Sequence, residues 1–204
     1  MNGTTNYLTL TIFDLPPTDP LALFADWYHA ASEHGVREPG ALALATADET
    51  GRTSSRIVQT IRITDTGLIF TSHTNSQKGQ DIEATGWASG VLYWRETKQQ
   101  VILAGPVGTL PDVESDALWN ARPVNTLLMS VASHQSAVLD GEQELLAEVR
   151  RLDTGERLPR PERWCGYLLT PTVVEFWQMS GDGLHKRLRY DRGSQGWTSC
   201  RLQP

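Results

Sequence analysis

The stretch Ser54-Ser55-Arg56-Ile57-Val58-Gln59-Thr60-Ile61-Arg62-Ile63, followed by Thr64-Asp65-Thr66-Gly67 and Leu68-Ile69-Phe70-Thr71-Ser72, decides the fold. β-branched and aromatic residues fill both flanks and the segment between them has turn chemistry, so residues 54–63 and 68–72 read as strands of a hairpin. The apolar run at 41–46, closed by turn residues 48–51, extends the hairpin into a meander. Downstream, Asn75 or Ser76 opens a helix over 76–84, and strands follow at 88–95 and 100–110 around the polar Glu96-Thr97-Lys98 turn. Helices are expected at 112–120, 125–134 and 142–152, the last with Glu and Arg spaced for a solvated face. Leu158-Pro159-Arg160-Pro161 breaks the chain, and residues 166–177, 184–190 and 196–202 read as strands that complete a sheet. Upstream, Asp19 as N-cap and Pro20 at the first helical position start a helix to about His34, with Leu21, Phe24, Trp27 and Tyr28 on one face. Before it, residues 1–17 read as a flexible arm ending in the stiff, extended Leu15-Pro16-Pro17.

Strands without regular alternation with long helices disfavour a doubly wound parallel sheet. The expected fold is mainly β with peripheral helices, an α+β arrangement around a closed or nearly closed antiparallel barrel. Two units are expected: an N-terminal arm and helix at 1–36, and the barrel domain at 37–204. Of the 204 residues 39% are hydrophobic, enough for one sizeable core. The 18 basic and 24 acidic residues give a net charge of −6, with both signs mixed along the chain, which speaks against a nucleic-acid partner. Cys165 and Cys200 alone make neither a disulfide framework nor a zinc-ribbon spacing, so a cytoplasmic setting is expected. With no basic-then-apolar leader pattern and no long apolar run, no membrane association is expected.

Arg56 on a strand and Ser76-Gln77-Lys78 at a helix start could meet across the hairpin. A guanidinium fork, an ammonium, a hydroxyl and free backbone amides would then surround one dianionic phosphate. The same residues also read as solvated surface charges. Gln100, Gln135 and Ser136 offer polar groups to the edge of a heteroaromatic ring, Trp177 could lie beside it, and Arg187 could donate to its electron-rich edge. A flavin has those needs, although each residue alone has an ordinary packing explanation. Phosphate-loop, dinucleotide-binding and His-Glu-x-x-His motifs are absent, Ser133, His134 and His185 make no hydrolytic triad, and His29, His34 and His73 give no metal-ligand pattern.

The runs Ser55-Arg56-Ile57-Val58, Phe70-Thr71-Ser72-His73, Asn75-Ser76-Gln77-Lys78-Gly79, Arg122-Pro123, Ser133-His134-Gln135-Ser136, Val174-Glu175-Phe176-Trp177-Gln178, residues 184–190 and Arg201-Leu202-Gln203-Pro204 occur in one unbroken order. Together they resemble the pyridoxamine 5'-phosphate oxidase family from about Arg37 to Pro204. The resemblance implies a six- to eight-stranded split barrel that dimerises and binds two flavin mononucleotides (FMN), each in a cleft built from both subunits. It further implies that Arg56, Ser76 and Lys78 hold the flavin phosphate, with Gln77 where the family usually has arginine, and that Ile57 and Val58 belong to the same cofactor run. Phe70 and Thr71 resemble the pair beside the flavin, Gln100 the glutamine near its ring, and Gln135, Ser136, Trp177 and Arg187 the further contacts, partly supplied across the dimer.

Three departures bear on the substrate. Ile61 stands where the family enzyme has lysine, Leu118 where it has tyrosine, and Gly183 where it has arginine; Arg122 remains, and Thr126 stands in for a serine. Losing two polar phosphate ligands removes charge-assisted hydrogen bonds of roughly 1.5–3 kcal/mol each. The pattern is similar to the phenazine-biosynthesis branch of the family. That similarity implies an FMN-dependent oxidase that aromatises reduced tricyclic carboxylic acids and passes the electrons to dioxygen. Arg122, His185 or Arg187 could meet the substrate carboxylate, and His185 is the best acid-base candidate. No metal is expected. The competing readings are a pyridoxamine 5'-phosphate oxidase proper and a flavin-binding protein without turnover.

Overall fold

A computed structural model describes residues 12–204. Ten strands are present among them: β1 (Ala41–Ala47), β2 (Thr53–Gln59), β3 (Arg62–Ile63), β4 (Leu68–His73), β5 (Trp87–Trp94), β6 (Gln99–Thr109), β7 (Trp164–Leu169), β8 (Val173–Gln178), β9 (Lys186–Gly193) and β10 (Gly196–Leu202). The helices are α1 (Pro20–Glu33), α2 (Gln77–Thr85), α3 (Asp112–Asn120), α4 (Leu127–Ala132), preceded by a 3-10 turn at Val124–Thr126, and α5 (Glu142–Leu152). Every strand pair is antiparallel. The main path runs β10-β9-β8-β6-β5-β1-β2, and a smaller group, β3-β4-β7, joins it through β6. No described helix is long and apolar enough to cross a membrane.

The long strand β6 divides the sheet. Its first half, Gln99 to Ala104, pairs with β8, and its second half, Val107 to Thr109, pairs on the same side with β7. The β7–β8 turn passes over the junction, where the Thr170 and Thr172 N–H groups donate to the Pro106 and Ala104 carbonyls. Gly105 sits under that turn, and a Cβ there would collide with the Thr170 carbonyl oxygen. At the other end of the path β2 is an edge strand facing β4, which opens the barrel on that side.

Two expected strands prove to be pairs of strands. Residues 54–63 divide at Thr60-Ile61, where the chain leaves β2: the Thr60 N–H donates to Gly40, and the Ile61 N–H to Ile69. Residues 166–177 divide at Thr170-Pro171-Thr172, because Pro171 has no N–H to offer a ladder. The arm also departs from expectation over its described residues. Ile12 to Asp14 form a turn, and Phe13 is buried under the cations of Lys186 and Arg201; residues 1–11 of the expected arm lie outside the described residues.

Alternation sorts the side chains. In β5, Ala88, Gly90, Leu92 and Trp94 point inward and are buried, while Trp87 and Tyr93 face out. Helix α1, capped by Asp19 as expected, lays Leu21, Phe24 and Trp27 into the same core as Leu42, Val101, Phe176 and Leu188. Phe176 makes edge contacts with Trp27 at 5.0 Å and Tyr190 at 6.0 Å between ring centroids. A second small cluster joins Trp119, Leu127 and Trp164 beneath α3 and α4. Phe176→Ala is expected to cost about 3–5 kcal/mol, as large-to-small changes at packed aromatic sites do, read as a fall in the urea midpoint.

Candidate functional site

The opening between β2 and β4 holds a cavity of about 470 Å³, lined by Arg56, Ile57, Val58, Gln59, Thr71, Ser72, Gln77, Lys78, Gln135 and Ser136. Each arrives there for a local reason. Arg56 to Gln59 ride on the edge strand; Thr71 and Ser72 end β4; Gln77 and Lys78 begin α2. Ser76 caps that helix, accepting from the Gly79 N–H at 3.2 Å. The first turn of α2, with its free amides and positive dipole end, therefore faces the cavity. Gly79 lets that turn approach the end of β4, since a Cβ there would meet the His73 and Thr74 carbonyl oxygens.

Lys78 is the electrostatic centre of the site. Its side chain is buried, and its Nζ donates to Gln135 Oε1 at 2.8 Å, Ser72 Oγ at 3.1 Å and Ser76 Oγ at 3.4 Å. All three acceptors are neutral. Among the described residues no carboxylate pairs with it. Burial, and then the neighbouring Arg56 charge, bring its pKa down to about 8. Arg56 is itself partly buried, which lowers its pKa, with Asp81 acting in the opposite direction. His73 adds no charge at pH 7, since burial and then Arg163, Lys78, Arg122 and His134 lower its pKa to about 4. An ammonium and a guanidinium beside a helix N-terminus, short of counter-charge, suit one phosphate-sized dianion. Ser72 also donates to Gln135 Oε1 at 3.0 Å, so that amide oxygen gathers two of the donors an anion would use.

Other expected residues lie elsewhere in the chain. Phe70 is fully buried and stacked on Tyr167 at 5.2 Å, so it can offer a ligand only its backbone. Gln100, Trp177 and Arg187 do not line the cavity; they stand side by side in register across β6, β8 and β9, on the outward face of the sheet beside Tyr93. Arg187 Nε donates to Glu175 Oε1 at 2.7 Å, and its Nη1 donates to the Gln203 carbonyl. His185 lies against Trp177, ring centroids 5.1 Å apart, and its Nδ1 accepts from the Ser180 N–H at 3.3 Å.

Ile61 is 47% exposed near the start of β3, and Leu118 packs on the small Trp119–Trp164 cluster close to Gly166. The Arg122 guanidinium lies 5.2 and 5.4 Å from the Trp119 and Trp164 ring centroids, and its Nη2 donates to the Thr126 carbonyl. The Thr126 hydroxyl donates to Pro123. Gly183 adopts φ of 80° in the turn before β9, with open space where a Cβ would stand.

Sequence reading missed Ser72, Gln59, Asp81 and Glu175. Glu175 had a signal: an acid inside an apolar strand run, facing arginines on the neighbouring strand. Asp81 had a weaker one, its i+4 spacing from Gln77 on α2, where the two are bonded at 2.8 Å.

Comparison with known proteins gives the same assignment along nearly the whole chain. Residues 29–154 match the family described as pyridoxamine 5'-phosphate oxidase, and residues 164–204 match the pyridoxine 5'-phosphate oxidase C-terminal dimerisation region. The chain is 47% identical to the dihydrophenazinedicarboxylate synthase of Burkholderia lata, over 94% of this chain and 91% of that one. It is 39% identical to the pyridoxine/pyridoxamine 5'-phosphate oxidase of Paraburkholderia phymatum, over 96% and 93% of the two chains. The crystal structure of PhzG from Burkholderia lata in complex with tetrahydrophenazine-1-carboxylic acid superposes with a TM-score of 0.93, covering 95% of this chain and 96% of that chain at 47% identity. With its split barrel and with matches over both halves of the sequence, the chain belongs to the pyridoxamine 5'-phosphate oxidase family.

Proposed function

We propose that this chain is an FMN-dependent oxidase that aromatises reduced tricyclic phenazine carboxylic acids, a cytoplasmic homodimer whose two cofactor sites are shared between subunits. The observation that carries the reading is the buried Lys78, held only by neutral oxygens beside Arg56 at a helix N-terminus. A cofactor phosphate answers that arrangement, and a cavity of about 470 Å³ has the size of a small-molecule site. In this reading Arg56, Ser76 and Lys78, joined by Ser72, hold the phosphate, Gln77 stands at its rim, and Ile57, Val58, Thr71 and the Phe70 backbone flank the ring. Gln135 and Ser136 close the site from the loop after α4.

Gln100, Trp177 and Arg187 come from the second copy. They face outward, on a sheet face that also exposes Tyr93 and carries small residues from β1, and the dimerisation region matched at 164–204 contains β8 and β9. Glu175 fixes the Arg187 guanidinium at 2.7 Å, which keeps the fork from folding back on its own strand. FMN, when bound, supplies the hydride acceptor and delivers the electrons to dioxygen.

The protein's share of the reaction is to bind, orient and exclude. Gly183 leaves room for a third fused ring, and Ile61 offers apolar surface where a phosphate ligand would need a cation. His185 accepts at Nδ1, so its neutral form carries the proton on Nε2 and presents a donor. That donor suits a substrate carboxylate, with Arg187 and Arg122 as the charged alternatives. Thr126, whose hydroxyl is turned to Pro123, and Leu118, set against the Trp119–Trp164 cluster, would border the substrate in this reading. Loss of hydride from a dihydroaromatic ring is driven by the aromaticity that develops, so the chain needs no strong base; an enamine N–H proton leaves to water.

Three expected outcomes test this reading. Anaerobic addition of tetrahydrophenazine-1-carboxylic acid should bleach the yellow holoprotein near 450 nm, with recovery in air, whereas pyridoxamine 5'-phosphate should bleach it hardly at all; equal bleaching by both removes the substrate assignment. Arg56→Ala should raise the FMN Kd by roughly ten- to a hundredfold, the range of one or two charge-assisted hydrogen bonds, while Gly183→Arg should keep FMN and lose turnover. The phosphate is a dianion at neutral pH and Lys78 loses its proton near pH 8, so FMN affinity should fall as pH rises through 8. Riboflavin, which lacks the phosphate, should show no such fall when its fluorescence quenching is titrated in parallel.

A further inference from the structure

Behind the phosphate cup formed by Arg56, Ser76 and Lys78 lies a carboxylate to which neither the family match nor the proposed reaction gives a role. Asp81, on the inner side of α2, is 3% exposed, yet it accepts three hydrogen bonds. Thr46 Oγ1 donates to its Oδ2 at 2.6 Å, Ser54 Oγ to the same oxygen at 3.1 Å, and Gln77 Nε2 to Oδ1 at 2.8 Å. Burial raises an acid's pKa, but the bonds from Thr46, Gln77 and Ser54, with the Arg56 charge, hold this one below the usual carboxylate range. Asp81 is therefore ionised at neutral pH.

The consequence falls on Arg56. A hydroxyl has one proton to donate, and Thr46 and Ser54 each point theirs at Asp81. Their oxygens are left as acceptors, and Arg56 uses both: Nη1 donates to Thr46 at 2.7 Å and Nη2 to Ser54 at 2.5 Å. The direct distance from Arg56 Nη2 to Asp81 Oδ2 is 4.0 Å, too long for a hydrogen bond, so the carboxylate attracts the guanidinium by charge alone and fixes its orientation through the hydroxyls. Without Asp81 the hydroxyl rotors could turn their protons toward the guanidinium, and its long side chain would have no fixed seat on the strand edge. Nη1 also donates to the Leu44 carbonyl at 3.4 Å, so the fork keeps its Nε–H and its second Nη2 N–H for the cavity that it lines.

We propose that Asp81 is a positioning residue for the cofactor phosphate: by accepting hydrogen bonds from the Thr46 and Ser54 hydroxyls it turns the lone pairs of both oxygens toward Arg56 and aims the guanidinium at the anion. Gln77 belongs to the same device. Where the family usually has an arginine for the phosphate, this chain has an amide that donates to Asp81 and keeps its second oxygen from accepting elsewhere. The inference rests on the cofactor reading above, because the anion in question is the flavin phosphate.

The test compares FMN with riboflavin, which share the ring and differ in the phosphate, by fluorescence quenching with wild-type protein and variants. For Asp81→Ala the FMN Kd should rise about tenfold or more, the scale of one charge-assisted hydrogen bond, while the riboflavin Kd stays within about twofold. Asp81→Asn should restore most of the FMN affinity, since its amide oxygen can accept both hydroxyl protons while its NH₂ turns to a flipped Gln77. Thr46→Val with Ser54→Ala leaves Asp81 in place, removes both relays and should reproduce the selective loss, so the inference is still tested if Asp81→Ala does not fold. Unchanged FMN binding by Asp81→Ala, an equal loss of both ligands, or an Asp81→Asn as weak as Asp81→Ala would each overturn it. A wild-type protein that bound riboflavin as tightly as FMN would instead overturn the cofactor reading itself.

Discussion

One strand must satisfy two partners along the same edge, and the rest of the architecture follows from that. β6 pairs with β8 over its first half and with β7 over its second, so the sheet diverges at Gly105-Pro106 and forms two lobes instead of one closed barrel. A closed barrel would have no free strand edge. Here the divergence leaves β2 as an edge opposite β4, and the cavity lies in that opening. Backbone amides at the start of α2 and side chains on an edge strand are thereby brought together in a place where a ligand can enter.

Charge placement follows the same geometry. Lys78 is buried because α2 starts directly after β4 and Gly79 allows the first turn to press against the strand end. An unpaired ammonium there is costly, and its lowered pKa expresses that cost. Arg56, one strand away, is instead supported by hydroxyls and by a carboxylate set 4.0 Å behind it. The two cations thus differ in readiness: one has a seat behind it, whereas the other waits for an anion in front. A dianion with several oxygens suits both at once, because it can accept from the fork and from the ammonium without displacing the Asp81 relay.

Much of this was legible in the sequence, for identifiable reasons. Asp19-Pro20 and the Asn75-Ser76 pair, of which Ser76 proves to be the cap, announce the starts of α1 and α2 through capping chemistry that depends on neighbouring residues alone. Alternation placed most strands to within a residue or two. The misses lie where tertiary pairing overrides local pattern. Residues 54–63 are continuously strand-like, yet they change sheets at Thr60-Ile61 because the partner of the second half is β4 and no longer β1. Phe13 looked like part of a free arm, although it is buried through contacts with Lys186 and Arg201, more than 170 residues away in sequence. Arg56 and Lys78 stood out by type and spacing; Asp81 did not, because its importance lies in the hydroxyl protons of Thr46 and Ser54, which no linear motif encodes.

The placement of the ring-binding candidates explains why a single chain is not the functional unit in this reading. Gln100, Trp177 and Arg187 form one row across three strands, so any flat ligand on that row lies along the outward face of the sheet. The phosphate cup opens at the β2 edge, three strand positions beyond β6 in the sheet order. Neighbouring strands are spaced about 4.8 Å apart, which puts the row and the edge well over 10 Å from each other, and the two face opposite sides of the sheet: Arg56 pairs with the buried, inward Leu44, whereas the row is in register with the outward Tyr93. A second copy set face to face solves the geometry, since its row can lie over the first copy's cup while the reciprocal pair forms the other site, as a two-fold axis requires. The exposed Ile57 and Tyr93 side chains on that same outward face then have a partner to cover them.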